Sequence, residues 1–394
     1  MVNKKKVLIV SMAYFPRFVG GAEVAIKEIT DRLSDEYEFH LVTLRYDSTL
    51  PRESKEGNVY VHRIGFSTQA PTLSDLRKLP LHLNKYLFQF SAYLKARKLH
   101  RAHRYDMVWS MMAHSAGIPG ALFKITYPRV PFLLTLQEGD TPEHIAHAAR
   151  PSLFLFNLAF VRADAVQAIS HFLAAWAKRQ GAKRRVDVIP NGVDVSRFST
   201  RQTKEEREKK RKELCSDDEA TLLVTVSRLV KKNGVDLVIR ALPHLPSRVT
   251  FVVAGDGPEK ENLKHLAASL EVEDRVLFLG EVSQQDLPLL LSSCDMFIRA
   301  SRSEGQGIAF IEAMAMGLPT IGTNVGGIPD FLRESETGFL AEPTSESIAS
   351  AVVRAIEHPI ETNRVAEGGQ RLVKEKYDWN GIATEMGSLF KTLT

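Results

Sequence analysis

The sequence predicts an α/β protein built of two doubly wound, Rossmann-like domains. Three observations predict it. Short, near-continuous apolar runs recur through both halves, from VLIVSMA at 7–13 to LLVTV at 222–226, as buried parallel strands require. Segments of helical periodicity stand between them. Several of these strands end on a glycine turn that opens a helix, where doubly wound sheets gather their ligands. With 394 residues, the chain is long enough for two such cores.

Composition sets the outer bounds. Apolar residues make up 44% and charged residues 25%, the balance of a soluble globular protein. No apolar run reaches the ~18 residues that a membrane span needs. The lysines at 4–6 precede an apolar run of only Val7 to Ala13 with no clean cleavage site, so this stretch reads as a first strand rather than a signal peptide. The two cysteines, Cys215 and Cys294, lie far apart and lack metal spacing, which fits a reducing compartment. A cytoplasmic protein is expected. The net charge of +5 is unevenly spread: residues 1–195 carry 27 Lys and Arg against 17 Asp and Glu, and the remainder 25 against 30. A basic first half suggests an anionic partner or surface. No nucleic-acid recognition motif is present.

In the first half, the strand at 7–13 leads through a loop to Gly20-Gly21-Ala22-Glu23 and a helix with Val24, Ile26, Ile29 and Leu33 on one face. The glycine pair suits a phosphate or sugar, or simply tight packing. Strands follow at 39–44 and 59–64. The long segment Leu73 to Tyr105 reads as helical and basic, with Lys85, Lys95, Arg97, Lys98 and Arg101 interleaved with Tyr86, Leu87, Phe88, Phe90 and Leu94. Such a helix can lie on an anionic membrane surface, or pack one face and solvate the other. After a strand at 106–111, His114 stands in a loop, either as a cleft residue or as a satisfied structural histidine. A buried strand at 130–136 ends in Gln137-Glu138-Gly139-Asp140. Further strands at 163–170 and 186–190 flank a helix at 172–179. The run TKEEREKKRKE at 203–213 reads as a solvated helix face.

The second half opens with the strand at 222–226. Arg228, Lys231 and Lys232 then stand ahead of a helix from Val235, a placement that fits a diphosphate clamp. The strand at 249–254 ends in Gly255-Asp256-Gly257, which is no dinucleotide fingerprint because Lys260 stands where the third glycine would fall. A strand at 276–279 ends at Gly280-Glu281-Val282. The strand at 294–300 leads into SRSEGQGIAFIEAMAMGLPTIGTNVGGIPD, residues 301–330. There a glycine-broken loop, Glu304 to Gly307, opens a helix from Ile308 to Met316 that stops at Gly317. A strand at 319–322 and a second glycine turn follow, and a further helix starts at Ile328. The 308–316 helix is apolar nearly all round except for Glu312, and a buried, unpaired carboxylate is costly. Glu312 therefore needs a partner. Hydroxyls of a ligand would serve, with Glu304 as a second carboxylate and the amides near Gly307 and Ile308 for phosphate, which describes a nucleotide-sugar site. The alternative is a core helix with Glu304 as a cap and Glu312 paired to a buried arginine.

The 301–330 stretch resembles the carboxyl-terminal signature S-x-x-E-G-x-G-x4-E-A-M-A-x-G-x-P…G-G-x-P-[ED] of retaining GT-B glycosyltransferases, specifically glycosyltransferase family 4, and further matches run from Lys5 to Trp379. The resemblance implies the GT-B fold, two doubly wound Rossmann-like domains facing an interdomain cleft. Residues 1–196 would form the acceptor-side domain, with the carboxyl-terminal helix 377–394 crossing back onto it. Residues 197–376 would bind the nucleotide sugar, after the PNGVD…F entry to the linker at 190–198. It implies catalytic roles for Glu304 on the transferred sugar and for Arg228 and Lys232 on the diphosphate. Donor contacts would come from Gly20, Gly21, Gln137, Gly280, Val282, Gln306, Gly307, Ile308 and Glu312, the last on the ribose, and His114 would lie on the acceptor side. Two positions depart from the pattern. Gln137 stands where the family has a histidine that touches the donor sugar, and Asn233 stands at the family's lysine position, with Lys232 one residue earlier. The implied activity is retaining, metal-independent transfer from a nucleotide diphosphate sugar, UDP- or GDP-linked, to an acceptor hydroxyl, lipid-linked or polysaccharide. No cofactor and no metal are expected. The expected partners are that acceptor and an anionic membrane surface, with a location peripheral to the inner face of the membrane. The other readings are a sugar-nucleotide epimerase or phosphorylase, and a non-catalytic sugar-nucleotide-binding assembly protein.

Overall fold

The structure, a computed structural model, describes residues 4–17, 19–72, 75–149, 153–199 and 202–394. The chain forms two compact units, Met1–Asn191 with Trp379–Thr394 and Gly192–Asp378. The division thus falls after Asn191, ahead of the expected boundary at 196/197.

The first unit runs β1 (Lys5–Val10), α1 (Gly21–Arg32), β2 (Tyr37–Leu44), β3 (Glu53–Glu56), β4 (Val59–Ile64), α2 (Asn84–His103), β5 (Met107–Met111), α3 (Ile118–Thr126), β6 (Phe132–Leu136), α4 (Pro142–Ala149), α5 (Leu153–Arg162), β7 (Ala165–Ala168), α6 (His171–Arg179) and β8 (Arg185–Val188). The described strands make one sheet in the order β3-β4-β2-β1-β5-β6-β7-β8, parallel except for β3. The near-continuous apolar run of β1 is explained by burial on both faces: Val7 and Ile9 join one core with α1, and Leu8 and Val10 join another with α2, α3, α5 and α6. β3 was not anticipated. Its ESKE sequence carries no apolar residue, as an exposed antiparallel edge permits.

The second unit runs α7 (Val195–Ser199), α8 (Lys204–Leu214), β9 (Thr221–Val226), α9 (Val235–Ala241), β10 (Val249–Ala254), α10 (Lys260–Ser269), β11 (Val276–Gly280), α11 (Leu287–Ser292), β12 (Met296–Arg299), α12 (Ile308–Ala315), β13 (Thr320–Thr323), β14 (Phe339–Ala341), α13 (Ser345–Glu357) and α14 (Pro359–Lys376). Its sheet is parallel throughout, in the order β11-β10-β9-β12-β13-β14. Leu223 faces the core shared with α9, α10 and α13, and Leu222 and Val224 face the one shared with α11, α12 and α14. The helix expected from Ile328 is a single 3₁₀ turn, Ile328–Asp330, with Gly327 ahead of it, Pro329 in its first turn and Phe331 at its end. α15 (Trp379–Leu393) then packs on the first unit, burying Trp379, Ile382, Met386, Leu389 and Phe390 beside α1. It begins two residues later than expected from Tyr377.

Candidate active site

Each sheet has one place where the strand order reverses, and ligands of doubly wound folds collect beyond the carboxyl ends of the strands at that place. In the second unit it lies between β9 and β12, because the chain leaves β9 for β10 on one side and returns with β12 on the other. The loop after β9 carries Arg228 and Lys232, and the loop after β12 carries Glu304. The two loops are stitched together. One nitrogen of Arg299, Nη2 at the end of β12, donates to Asn233 Oδ1 at 2.8 Å and to Glu304 Oε2 at 2.6 Å. Asn233 Nδ2 in turn donates to the Arg228 carbonyl at 2.6 Å. The side chains of Arg299 and Glu304 are only 10% and 13% exposed. Asn233 is buried, so at the position of the expected lysine stands a structural amide. Lys232 is half-buried on the 3₁₀ turn Lys231–Asn233, and Arg228 is exposed, its guanidinium meeting no other described residue in a hydrogen bond or ion pair.

Two glycines make this close approach available. A Cβ on Gly234, at φ +66°, would stand 1.7 Å from the Ala300 carbonyl oxygen; on Gly326, at φ +57°, it would stand 1.9 Å from the Glu304 carbonyl oxygen. That same carbonyl accepts the Gly327 N–H at 3.1 Å. Only glycine fits positions with both restrictions. The second glycine turn therefore clamps the loop that carries Glu304.

α12 begins at Gly307, which offers no side-chain cap, and the Ile308 and Ala309 N–H groups meet no acceptor among the described residues. Such a helix end favours an anion. Gln306, just ahead, is buried. On the next turn of the helix Glu312 is 6% exposed, and among the described residues it has no hydrogen bond or ion pair. Burial pushes its carboxyl up to about 7, with the positive charge of Arg197 pulling the other way. The pairing with a buried arginine is thus reduced to attraction without contact. Gly280 and Val282 lie at the end of β11, where the Gly280 carbonyl accepts the Gly255 N–H at 2.7 Å and Val282 packs partly buried. A groove of about 720 Å³ beside α9 and α10 has none of these residues in its walls; its Arg302 is bound twice to Asp236, at 2.7 Å each.

In the first unit the strand order reverses between β1 and β5. Gly20 and Gly21 follow β1, where the Gly20 N–H donates to Glu23 Oε2 at 2.7 Å, and burial raises the Glu23 carboxyl. After β5, Met112 is held at φ +69°, a strained value for a side-chain-bearing residue, and a π-turn from Ala113 to Gly117 carries His114. His114 is two-fifths exposed, with Nδ1 3.7 Å from Glu138 Oε1. Glu138, after β6, is 1% exposed and accepts N–H groups from Ala113 at 2.5 Å and Gln137 at 2.9 Å. The Gln137 amide is not idle: its Nε2 donates to Asn191 Oδ1 at 3.0 Å, and Asn191 Nδ2 donates to its Oε1 at 2.8 Å.

Sequence reasoning missed Arg299, Asn233 as a tie, Glu138 and Met112. A signal existed for Arg299, a cation inside the apolar run MFIRA, and for Glu138, an acid at the very end of a buried strand.

Comparison with known proteins follows the same division. The family described as Glycosyltransferase Family 4 matches residues 19–197, and the one described as Glycosyl transferases group 1 matches residues 206–372. An uncharacterized glycosyltransferase of Methanocaldococcus jannaschii is 25% identical over 98% of both chains. A GDP-mannose-dependent alpha-(1-6)-phosphatidylinositol monomannoside mannosyltransferase of Mycobacterium tuberculosis is 30% identical over 58% of this chain and 62% of its own. Among solved structures, Anabaena HepE in complex with UDP-glucose superposes with a TM-score of 0.78, at 24% identity and over 98% of this chain and 99% of the other. The two sheets, their reversal points and these matches together establish that the chain belongs to the GT-B glycosyltransferases of family 4, the glycosyl transferases group 1.

Proposed function

We propose that the protein is a retaining, metal-independent glycosyltransferase that takes a sugar from a nucleotide diphosphate sugar. The observation that carries this reading is Glu312, a buried carboxylate without a partner, one turn beyond a helix end whose first amides are uncapped. Ribose hydroxyls would satisfy the carboxylate and the diphosphate would satisfy the amides. Glu304, held by Arg299, would receive hydroxyls of the transferred sugar. Gln306 would line the donor side with Gly307 and Ile308, Gly280 and Val282 would pass near the base, and Gly20, Gly21 and Gln137 would complete the donor contacts. His114 would stand on the acceptor side.

Departure of the diphosphate builds negative charge, and Arg228, Lys232 and the α12 amides supply preorganised positive potential there. In a front-face reaction the acceptor oxygen bonds to the anomeric carbon as the bond to the phosphate oxygen breaks. The acceptor proton passes to the leaving phosphate, so the configuration is kept and no protein base is required. Loss of transfer on adding a chelator would overturn metal independence. The M. tuberculosis relative is named for GDP-mannose and HepE was crystallised with UDP-glucose, which supports GDP- and UDP-sugars as the first donors to try. The mannosyltransferase's named lipid substrate supports a lipid-linked acceptor. We propose an acceptor, lipid-linked or polysaccharide, in cell-envelope glycan synthesis, and an enzyme that is cytoplasmic and peripheral on the inner face of the membrane. No helix of the described residues is long and apolar enough to cross one.

The first experiment is thermal stability against UDP, GDP, ADP, CMP and TDP. A ligand of the folded state at a hundredfold excess over its Kd adds about 2.7 kcal/mol. A shift with one nucleoside diphosphate is expected; none with any of them would sink the donor site. The pair of hydrogen bonds between Gln137 and Asn191 favours a second reading, a non-catalytic sugar-nucleotide binder, because it occupies the amide at a position where the resemblance implies a sugar-touching histidine. Glu312→Ala separates the two: an enzyme loses turnover, whereas a binder has none to lose.

A further inference from the structure

α2 has apolar side chains on opposite sides. Phe88, Ala92, Ala96 and Leu99 point inward and are buried in the core shared with α3 and α5. Leu83 immediately before the helix, with Tyr86, Leu87, Phe90 and Leu94 on it, is 40–58% exposed, and Leu79 in the preceding turn is 74% exposed. At ~100° of rotation per residue, the five from Leu83 to Leu94 share one outward sector, and Arg101 continues it toward the carboxyl end with Lys98 at its edge. Residues 84–103 include Lys85, Lys95, Arg97, Lys98 and Arg101 and no aspartate or glutamate. The first two residues of the basic segment expected at 73–105 lie outside those described.

An outward apolar stripe three turns long is not what a helix bounded by water carries, because only the inward face gains from burial. We infer that this face of α2, with Leu79 beside it, is a docking surface for an anionic phospholipid bilayer, in which Leu83, Tyr86, Leu87, Phe90 and Leu94 enter the interface and Lys98 and Arg101 meet the head groups. Charge decides between occupants. A second copy of the chain would bring the same cations against themselves, whereas anionic lipid neutralises them. Tyr86 and Phe90 suit the boundary between hydrocarbon and water, and the lysine and arginine stems reach past the apolar layer to the head groups. The inference deepens the peripheral location proposed above, and rests on it, by naming the surface.

The test is co-sedimentation of the full chain with phosphatidylglycerol-containing vesicles and with pure phosphatidylcholine vesicles, at low and high salt, without nucleotide. Wild type should bind the anionic vesicles at low salt, less at high salt, and far less to phosphatidylcholine. The double variant Leu87→Glu/Phe90→Glu should lose at least about tenfold in binding with its melting temperature unchanged, since both side chains point outward. Lys98→Glu/Arg101→Glu should lose binding to the anionic vesicles alone. Phe90→Trp supplies a second readout, a blue shift of emission on adding anionic vesicles. No binding by wild type at low salt overturns the membrane location itself. Binding by wild type and by Leu87→Glu/Phe90→Glu alike overturns only the assignment to α2. A dimer in solution that Phe90→Glu dissociates gives the face to a second copy and also overturns it. The transferase reading stands or falls separately, on the nucleotide panel.

Discussion

Glu138 and Glu312 are both carboxylates buried at a reversal point, one in each unit, and their surroundings are opposite. Glu138 receives two backbone N–H groups, from Ala113 and Gln137, and lies 3.7 Å from the His114 ring. Glu312 receives no hydrogen bond from a described residue, and burial drives its carboxyl up to about 7. A buried charge is tolerated where the fold supplies its donors and is costly where it does not. Glu138 is therefore part of the scaffold: it ties the turn after β5 to the end of β6 and holds the strained Met112 in place. Glu312 is left for something else to satisfy. The difference separates a residue that builds a site from one that uses it.

The contrast is broken most directly at Glu138. Glu138→Ala strands the buried Ala113 N–H and the part-buried Gln137 N–H, each costing about 1–3 kcal/mol, so a loss on the order of 3–5 kcal/mol is expected in the free energy of unfolding by urea. Glu138→Gln keeps one acceptor and should recover roughly half of that. A loss below about 1 kcal/mol for the alanine variant would mean that water replaces the carboxylate and that Glu138 builds nothing.

Glu312→Gln should do the reverse. A carboxyl whose pKa is raised by folding, here from 4.5 to about 7, favours the neutral form in the folded state. Its contribution is therefore fully present below pH 4.5 and is lost as pH rises through 7. At 1.36 kcal/mol for each unit, the wild type should give up about 3 kcal/mol over that window, and the glutamine variant should not. Urea unfolding at pH 5 and pH 8 reads this directly: near equality at pH 5, and a variant more stable by roughly that amount at pH 8. Binding of the responding nucleotide should meanwhile weaken by about tenfold or more, since a hydrogen bond to a charged group contributes about 1.5–3 kcal/mol. A variant less stable than wild type at pH 8 would show that Glu312 has a partner in the fold after all.

Arg299 sharpens the contrast within the second unit, because it makes Glu304 resemble Glu138 rather than Glu312. Arg299→Met removes the cation from Glu304 and the donor from Asn233, at a cost of about 2 kcal/mol, and frees the loop that carries Glu304. A cycle with Glu304→Gln should give a coupling of about 1–2 kcal/mol. Additive single losses would mean that the ion pair orients nothing.

Much of this was legible in the chain. Glu312 announced itself as the lone acid in an apolar helix, and the alternating apolar runs carried both sheets apart from β3 and β14. What escaped was pairing across distance. Arg299 and Asn233 are 66 positions apart, Gln137 and Asn191 are 54 apart, and Ala113 and Glu138 are 25 apart. The first and third pairs meet because β12 lies beside β9, and β5 beside β6 with Val108 opposite Phe132; the second joins the ends of β6 and β8 across β7, a sheet order that periodicity does not reveal. The same limit hid the outward face of α2. Its composition read as basic and apolar, and only the position of the core separated Phe88, which is buried, from Phe90, which is not.

The smallest effect is expected at Gln137. Its amide and that of Asn191 exchange two hydrogen bonds, a pairing that needs a donor and an acceptor side by side on each partner. Gln137→His would place there the residue that the resemblance implies, but an imidazole cannot meet both atoms of the Asn191 amide at once. The variant should lose about 1 kcal/mol of stability, the net value of one ordinary hydrogen bond, and Asn191→Ala should lose a similar amount. Binding of the free nucleotide should not change in either variant, because the base and ribose contacts proposed above come from Gly280, Val282 and Glu312, and Gln137 is proposed to meet the sugar. Transfer is where they should part: if the amide pair holds Gln137 away from the sugar, Gln137→His raises turnover, and if Gln137 already meets a sugar hydroxyl while paired, it lowers it. Unchanged stability together with unchanged turnover would mean that the pair is incidental, and that of the two adjacent residues only Glu138 shapes this end of β6.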